Sequence, residues 1–239
     1  MIRFAYFDAA GTLIRPHPSI GTVYARAGAP FGLSASAAEL EAAFRSVWPV
    51  YTQPALGGPM SAVADEASTR AWWRGLLHAV LAEVGFSGDR DRVFEACYRA
   101  FSSTDAWQIF DDVRPTLDGL RELGIPLGIL SNWDPRLAAL LGELELAPYF
   151  QTLVVSAVEG VEKPDQRIFQ IAQQRAGIAP SEILYVGDHD HLDVAPARAL
   201  GFQAFLIDRR GTSGSPHAIR SLKELLPIAA GDLVTPEST

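Results

Sequence analysis

At 239 residues with 48% hydrophobic content, the chain is long enough to bury a sizeable core, and its net charge of −8 without a basic stripe argues against a nucleic-acid partner. The single cysteine, Cys97, excludes an internal disulfide and a cysteine metal cluster, and no apolar run reaches the roughly 20 residues that a membrane span needs. With no basic leader segment before the first apolar run, the expected location is the cytoplasm.

The run from Phe4 to Phe7 is apolar and aromatic, then breaks into Asp8-Ala9-Ala10-Gly11-Thr12, which predicts a buried parallel strand delivering a carboxylate to the carboxyl edge of a sheet. Residues 16–105 carry helical spacing and no strand pattern, with helices expected at Ser34–Val47, Thr69–Val84 and Asp91–Phe101. Trp72 and Trp73 are expected in the core of this helical unit, and Cys97 as a packed thiol. The Pro- and Gly-rich stretch Gln53 to Pro59 is expected as a surface loop.

From Asp112 onward helix and strand alternate. Helices are expected at Pro115–Leu123, Pro135–Leu144, Asp165–Ala176 and Val194–Leu200, and strands at Ile125–Leu130, Thr152–Val155, Ile183–Val186 and Gln203–Ile207. A capping-box pattern at Ser221 predicts a terminal helix, and Val234–Thr239 are expected to fray. The fold class is therefore α/β: a Rossmann-like, doubly wound parallel sheet from residues 1–15 and 106–239, with residues 16–105 inserted as a helical cap.

Polar groups stand at four strand ends: Asp8 with Thr12, Ser131 with Asn132, Lys163 at a helix entrance, and Asp188 with Asp193. In a parallel sheet these edges face one way, so the residues meet over one crevice. A carboxylate nucleophile, hydroxyl donors, an ammonium and carboxylates for a hard cation are what phosphoryl transfer requires. Lysine is scarce: 20 Lys plus Arg include only Lys163 and Lys223, so an ammonium at this edge is an unusual choice.

In these motifs the chain resembles the haloacid dehalogenase (HAD) superfamily of mostly magnesium-dependent phosphohydrolases. Asp8 and Thr12 match its first motif, Ser131 the second, Lys163-Pro164 the third, and Gly187-Asp188 with Asp193 the fourth, over roughly residues 2–208. The inserted helices correspond to that family's C1 cap. Trp72-Trp73, Trp107-Gln108, Ser131-Asn132-Trp133-Asp134 and Lys163-Pro164-Asp165 look most like the REG-2-like branch.

The resemblance implies that Asp8 attacks phosphorus to form an aspartyl-phosphate. Mg²⁺ would be held by Asp8, the Ala10 carbonyl and Asp188. Asp193 would support the metal through water or orient Lys163, which balances the phosphate charge. Thr12, Ser131 and Asn132 would bind a small phosphorylated metabolite. Ala10 departs from the pattern, because the family's phosphatases place an acid/base Asp there; His17, His189 and His191 are candidate replacements. Three alternatives follow: a catalytically weak phosphate- or metal-binding protein acting through partners, a dehalogenase, or a phosphonatase. The cap contains no lysine for the Schiff base of phosphonatases, and dehalogenases usually carry Tyr where Ala10 stands.

Overall fold

The computed structural model describes residues 1–53, 58–59 and 65–231. Along the chain the elements are β1 (Phe4–Phe7), β2 (Ile14–Pro16), α1 (Ile20–Gly28), α2 (Ala37–Tyr51), α3 (Glu66–Glu83), α4 (Arg90–Phe101) and β3 (Trp107–Ile109). They continue with α5 (Val113–Glu122), β4 (Leu127–Ser131), α6 (Leu137–Glu143), β5 (Phe150–Val155), α7 (Ser156–Glu159) and α8 (Gln166–Ala176). The last are β6 (Ile183–Gly187), α9 (Ala195–Ala199), β7 (Gln203–Ile207), β8 (Ala218–Ile219) and α10 (Leu225–Ala230).

Six strands form one parallel sheet in the order β5-β4-β1-β6-β7-β8. The strand β1 is fully buried because both faces are covered, and its side chains divide by the two-residue period of a strand. Ala5 and Phe7 join the core under α5, α6 and α10, whereas Phe4 and Tyr6 join that under α8 and α9. Register then fixes the crevice: Phe7 is paired with Ile129 and with Val186, so the residues following β1, β4 and β6 emerge side by side.

The helices α1 to α4 build a separate apolar cluster around Tyr24, Leu40, Leu81, Phe94 and Cys97. Their starts are fixed by side chains that accept free backbone N–H groups: Ser19, Ser36, Asp65 and Asp89, with reciprocal boxes at Ser36–Glu39 and Asp65–Ser68. The fold class expected from the sequence is the one observed. The Ser221 capping box is also present, although it opens a short turn at Leu222–Glu224 before α10.

Three strands depart from the expectation. The strands β2 and β3 pair antiparallel where the helical insertion leaves and rejoins the sheet, and β8 extends the sheet edge. At three and two residues, none is long enough to display an alternation. The β2–β3 ribbon is tied by Arg15 Nη2 donating to Gln108 Oε1 at 2.8 Å. Most of the expected loop Gln53–Pro59 and all of the expected frayed end Val234–Thr239 lie outside the described residues.

Candidate active site

Asp8 leaves β1 with its main-chain N–H still bonded to Val186 O at 2.8 Å, so the sheet itself positions the carboxylate. The chain then turns back at once: Leu13 N and Ile14 N both donate to Ala9 O, and Gly11 N donates to Ile14 O at 2.8 Å. Gly11 adopts φ +75°, and a Cβ there would lie 2.0 Å from Asp188 Oδ2, so only glycine lets the first motif approach the fourth. Gly187 is required in the same way, since its Cβ would fall 2.2 Å from Asp193 Cγ.

Lys163 lies at the centre. Its Nζ donates to Asp8 Oδ1 at 2.8 Å, to Asp193 Oδ1 at 2.5 Å and to Tyr185 Oη at 3.2 Å. Only 4% of the Lys163 side chain is exposed, against 7% for Asp8 and 1% for Asp193. Burial alone would push the ammonium down, but Asp193 and Asp8 outweigh it and hold the lysine above its ordinary value. Asp8 moves up to about 6, chiefly by burial, with Lys163 opposing the rise and the neighbouring carboxylates of Asp193 and Asp188 adding to it.

Asp193 falls in a single π-helical turn, Asp190–Val194, of a kind often met at functional sites. Both its oxygens are engaged: Oδ1 accepts from Lys163 and from Tyr185 Oη at 2.6 Å, and Oδ2 accepts from His189 N at 3.0 Å. Of the two roles expected for it, orienting Lys163 is the one this geometry displays. Asp188 is half-buried beside Gly11, and its Oδ1 meets His189 Nδ1 at 2.9 Å, a contact that raises the imidazole pKa. Ligand atoms of Asp188, His189 and Asp193 all lie within 4.8 Å of one another.

Ser131 is buried at the end of β4 and Thr12 in the first loop. Thr12 Oγ1 is buried without a hydrogen-bond partner among the described residues, an arrangement that costs free energy unless a ligand oxygen supplies one. Asn132, expected to bind substrate, lines the cavity and is also tied to the lysine. Its Nδ2 donates to Lys163 O at 3.0 Å and its Oδ1 accepts from Lys163 N at 2.8 Å, so both amide ends fix the backbone of the lysine.

Two residues at the site were missed. Tyr185 reads in sequence as another apolar strand position, yet its buried hydroxyl joins Lys163 to Asp193, accepting from the first and donating to the second, and lies 3.3 Å from Leu130 O. Trp73 packs against the cap core as expected, but its Nε1 also donates to the buried Asp134 Oδ2 at 2.8 Å and connects α3 to the segment after β4. Its neighbour Trp72 is buried as expected, as is Cys97, whose thiol burial raises to about 12.

Above the strand ends lies a cavity of about 580 Å³ between the inserted helices and the sheet edge. Ala10, Asn132 and His189 mark its polar end. All three candidate histidines are exposed, but His189 lines this cavity with Ala10 and His17 and His191 do not.

The chain was also compared with known proteins. A family model for haloacid dehalogenase-like hydrolases matches residues 2–201. Haloacid dehalogenase-like hydrolase domain-containing protein 3 of Danio rerio is 31% identical over 94% of this chain and 95% of its own. The rhythmically expressed gene 2 protein of Drosophila melanogaster is 28% identical over 87% and 84%, and a phosphoserine phosphatase of Thermus thermophilus 29% over 76% and 70%. A solved dehalogenase structure superposes with a TM-score of 0.70 at 26% identity, covering 95% of this chain and 96% of that one. The ordered strand-end groups, the helical insertion and these matches agree: the chain belongs to the haloacid dehalogenase-like hydrolases.

Proposed function

We propose that this hydrolase is a Mg²⁺-dependent phosphohydrolase that works through an aspartyl-phosphate on Asp8. The observation that carries the reading is the buried Lys163 ammonium held between Asp8 and Asp193, with a third carboxylate, Asp188, beside them. Three carboxylates against one ammonium leave an excess of negative charge that suits a hard dication, and oxygen ligands are what Mg²⁺ prefers. Asp8, Asp188 and the main-chain carbonyl of Ala10 would hold it. Mg²⁺, when bound, supplies positive charge that offsets the carboxylates and draws an anionic substrate to them.

The chain's own groups then divide the work. Asp8 Oδ attacks phosphorus, and Lys163 Nζ, fixed by Asp193, Tyr185 and the Asn132 amide, balances the charge on the transferring oxygens. Thr12 Oγ1 and Ser131 Oγ donate to those oxygens, which gives the unpartnered threonine hydroxyl its partner. The inserted helices act as a cap that excludes water. Ala10 offers no acid, and His189, which lines the cavity beside it, has its Nδ1 engaged by Asp188 Oδ1 at 2.9 Å, so the leaving group departs with little protonation, a loss of about 10²–10⁴ in rate for a poor leaving group.

The dehalogenase alternative would bring a haloacid carboxylate to three protein carboxylates, which disfavours it unless a cation intervenes. The weak-binder alternative rests on the methyl of Ala10. Hydrolysis of acetyl phosphate with and without Mg²⁺ tests the proposal, because this leaving group needs no protonation. Mg²⁺-dependent turnover that Asp8→Asn abolishes is expected; Mg²⁺ and phosphate binding without turnover would leave the binding reading.

A further inference from the structure

Within the phosphohydrolase reading, on which this step rests, we infer that the substrate is an aryl phosphate: a phosphate monoester of a phenolic or similarly stabilised hydroxyl carried on a bulky apolar ring. Two independent features of the cavity lead there. The first is its lining. Beyond Ala10 the walls are aromatic, with Trp48, Trp73, Trp107, Trp133, Phe44 and Tyr98 contributed by α2, α3, α4 and β3 and by the segment after β4. A volume of about 580 Å³ lies within the roughly 300–1,000 Å³ of sites that enclose a small-molecule ligand.

Two of the charge-bearing side chains there are already engaged: His189 Nδ1 lies 2.9 Å from Asp188 Oδ1, and Arg136 is paired within the protein. The Arg136 guanidinium donates to both oxygens of Asp134, at 3.0 and 2.6 Å, and lies 4.1 Å from the centre of the Tyr98 ring. Glu143, on the lining, is exposed. A polar metabolite such as a phosphorylated amino acid or sugar would lose its hydration over these rings, with the Tyr98 hydroxyl as the polar atom set among them, which favours a ligand that is mostly apolar. A flat apolar ring would instead gain offset and edge contacts with several indoles.

The second feature is Ala10, which lines the same cavity and lacks a proton to give. A phenol has a pKa of about 10, against about 16 for water, so a phenolate leaves without the help an alkoxide needs. In the first step the Asp8–phosphorus bond forms while the phosphorus–aryl oxygen bond breaks. Its electron pair leaves on the aryl oxygen, which takes a proton from solvent. In the second step water adds to phosphorus, the phosphorus–Asp8 bond breaks and the carboxylate is restored. Its proton passes to solvent, leaving aryl alcohol and inorganic phosphate as products. The shape of the cavity and the missing acid therefore select the same leaving group.

The test uses the full chain with Mg²⁺ and three probes: acetyl phosphate, 1-naphthyl phosphate and 2-phenylethyl phosphate. The expected KM for 1-naphthyl phosphate is at least about tenfold below that for acetyl phosphate. Its kcat should exceed that of the equally apolar 2-phenylethyl ester by about 10² or more. Ala139 and Ser102 are exposed on the cavity lining, so Ala139→Phe and Ser102→Phe fill space without disturbing a buried side chain. Each should raise KM for 1-naphthyl phosphate about tenfold more than that for acetyl phosphate. The product 1-naphthol should quench tryptophan fluorescence in the parent and more weakly in both variants, a readout independent of turnover. Asp8-dependent hydrolysis of acetyl phosphate with no preference for the naphthyl ester, or with both filled variants unchanged, overturns the aryl inference and leaves the phosphohydrolase intact. Failure to hydrolyse acetyl phosphate removes both.

Discussion

Replacing Asp8 by Asn should abolish turnover and, in metal-free protein above pH 6, make the fold more stable. Asp8 is held at about 6 against an ordinary 3.8, with the attraction of Lys163 already counted. A carboxylate raised in the folded state contributes stability that is fully present below its unfolded pKa and lost as pH rises through the folded value. The window is therefore about pH 4 to 6. At 1.36 kcal/mol per pH unit, a rise of about two units makes ionised Asp8 a burden of about 3 kcal/mol on the folded state at pH 8.

An asparagine keeps the shape and an oxygen for Lys163 Nζ while removing the charge that faces Asp188 and Asp193. We expect a gain of about 1–3 kcal/mol at pH 8, or about 2–12 °C in Tm for a chain of this size. Below pH 4 the gain should vanish, because the parent carboxyl is then neutral. Thermal melts in EDTA at pH 8 and at pH 3.5 to 4 measure both arms, and added Mg²⁺ should raise the parent's Tm more than the variant's. A variant that melts below the parent at pH 8 in EDTA would show that the Lys163 pair outweighs the carboxylate repulsion, and would refute this reading.

Lys163→Arg should lower kcat by at least about 10², since a planar fork cannot replace a point ammonium 2.8 Å from Asp8 and 2.5 Å from Asp193; wild-type kinetics would return Lys163 to a structural role. Asn132→Ala should lower kcat more than it raises KM, because it releases the Lys163 backbone while leaving the cavity lining otherwise intact; a pure KM effect would mark Asn132 as a substrate ligand. Ala10→Asp should raise turnover of alkyl phosphates by less than the full 10²–10⁴, with little change for p-nitrophenyl phosphate, as steady-state kinetics on the two esters would show.

The sheet was legible because a buried parallel strand leaves a plain mark: Phe4–Phe7 and Ile183–Gly187 are continuous apolar runs bounded by turn residues. The meeting of Asp8, Lys163 and Asp193 followed from sheet order alone, since ends far apart in sequence share one edge. Tyr185 was not legible. An aromatic in a strand has the same pattern whether its hydroxyl meets solvent, a carbonyl or an ammonium. Its register partner Tyr6 shows the plainer outcome, donating to Ala172 O at 2.8 Å. The Asn132 contact was not legible for a related reason: the sequence places an amide at the crevice but does not say that the lysine backbone takes both its ends. The cavity depends on packing among five helices, α1 to α4 and α6, so periodicity reports that each has an apolar face and not which rings remain uncovered between the faces.

The site and the fold pull against each other at one point, and that conflict links the two halves of the proposal. Asp8 cannot leave its charge cluster, because β1 delivers it there and Gly11 and Gly187 press Asp188 and Asp193 close. Nor can Lys163 neutralise three carboxylates. The folded chain therefore holds a negative surplus that, on the proposed function, a dication would offset, and only then would a phosphate dianion be held, by the cation, the lysine and the Thr12 hydroxyl. Binding of cation and phosphate should accordingly be cooperative and should weaken as pH falls through about 6, where protons on Asp8 begin to do the cation's work.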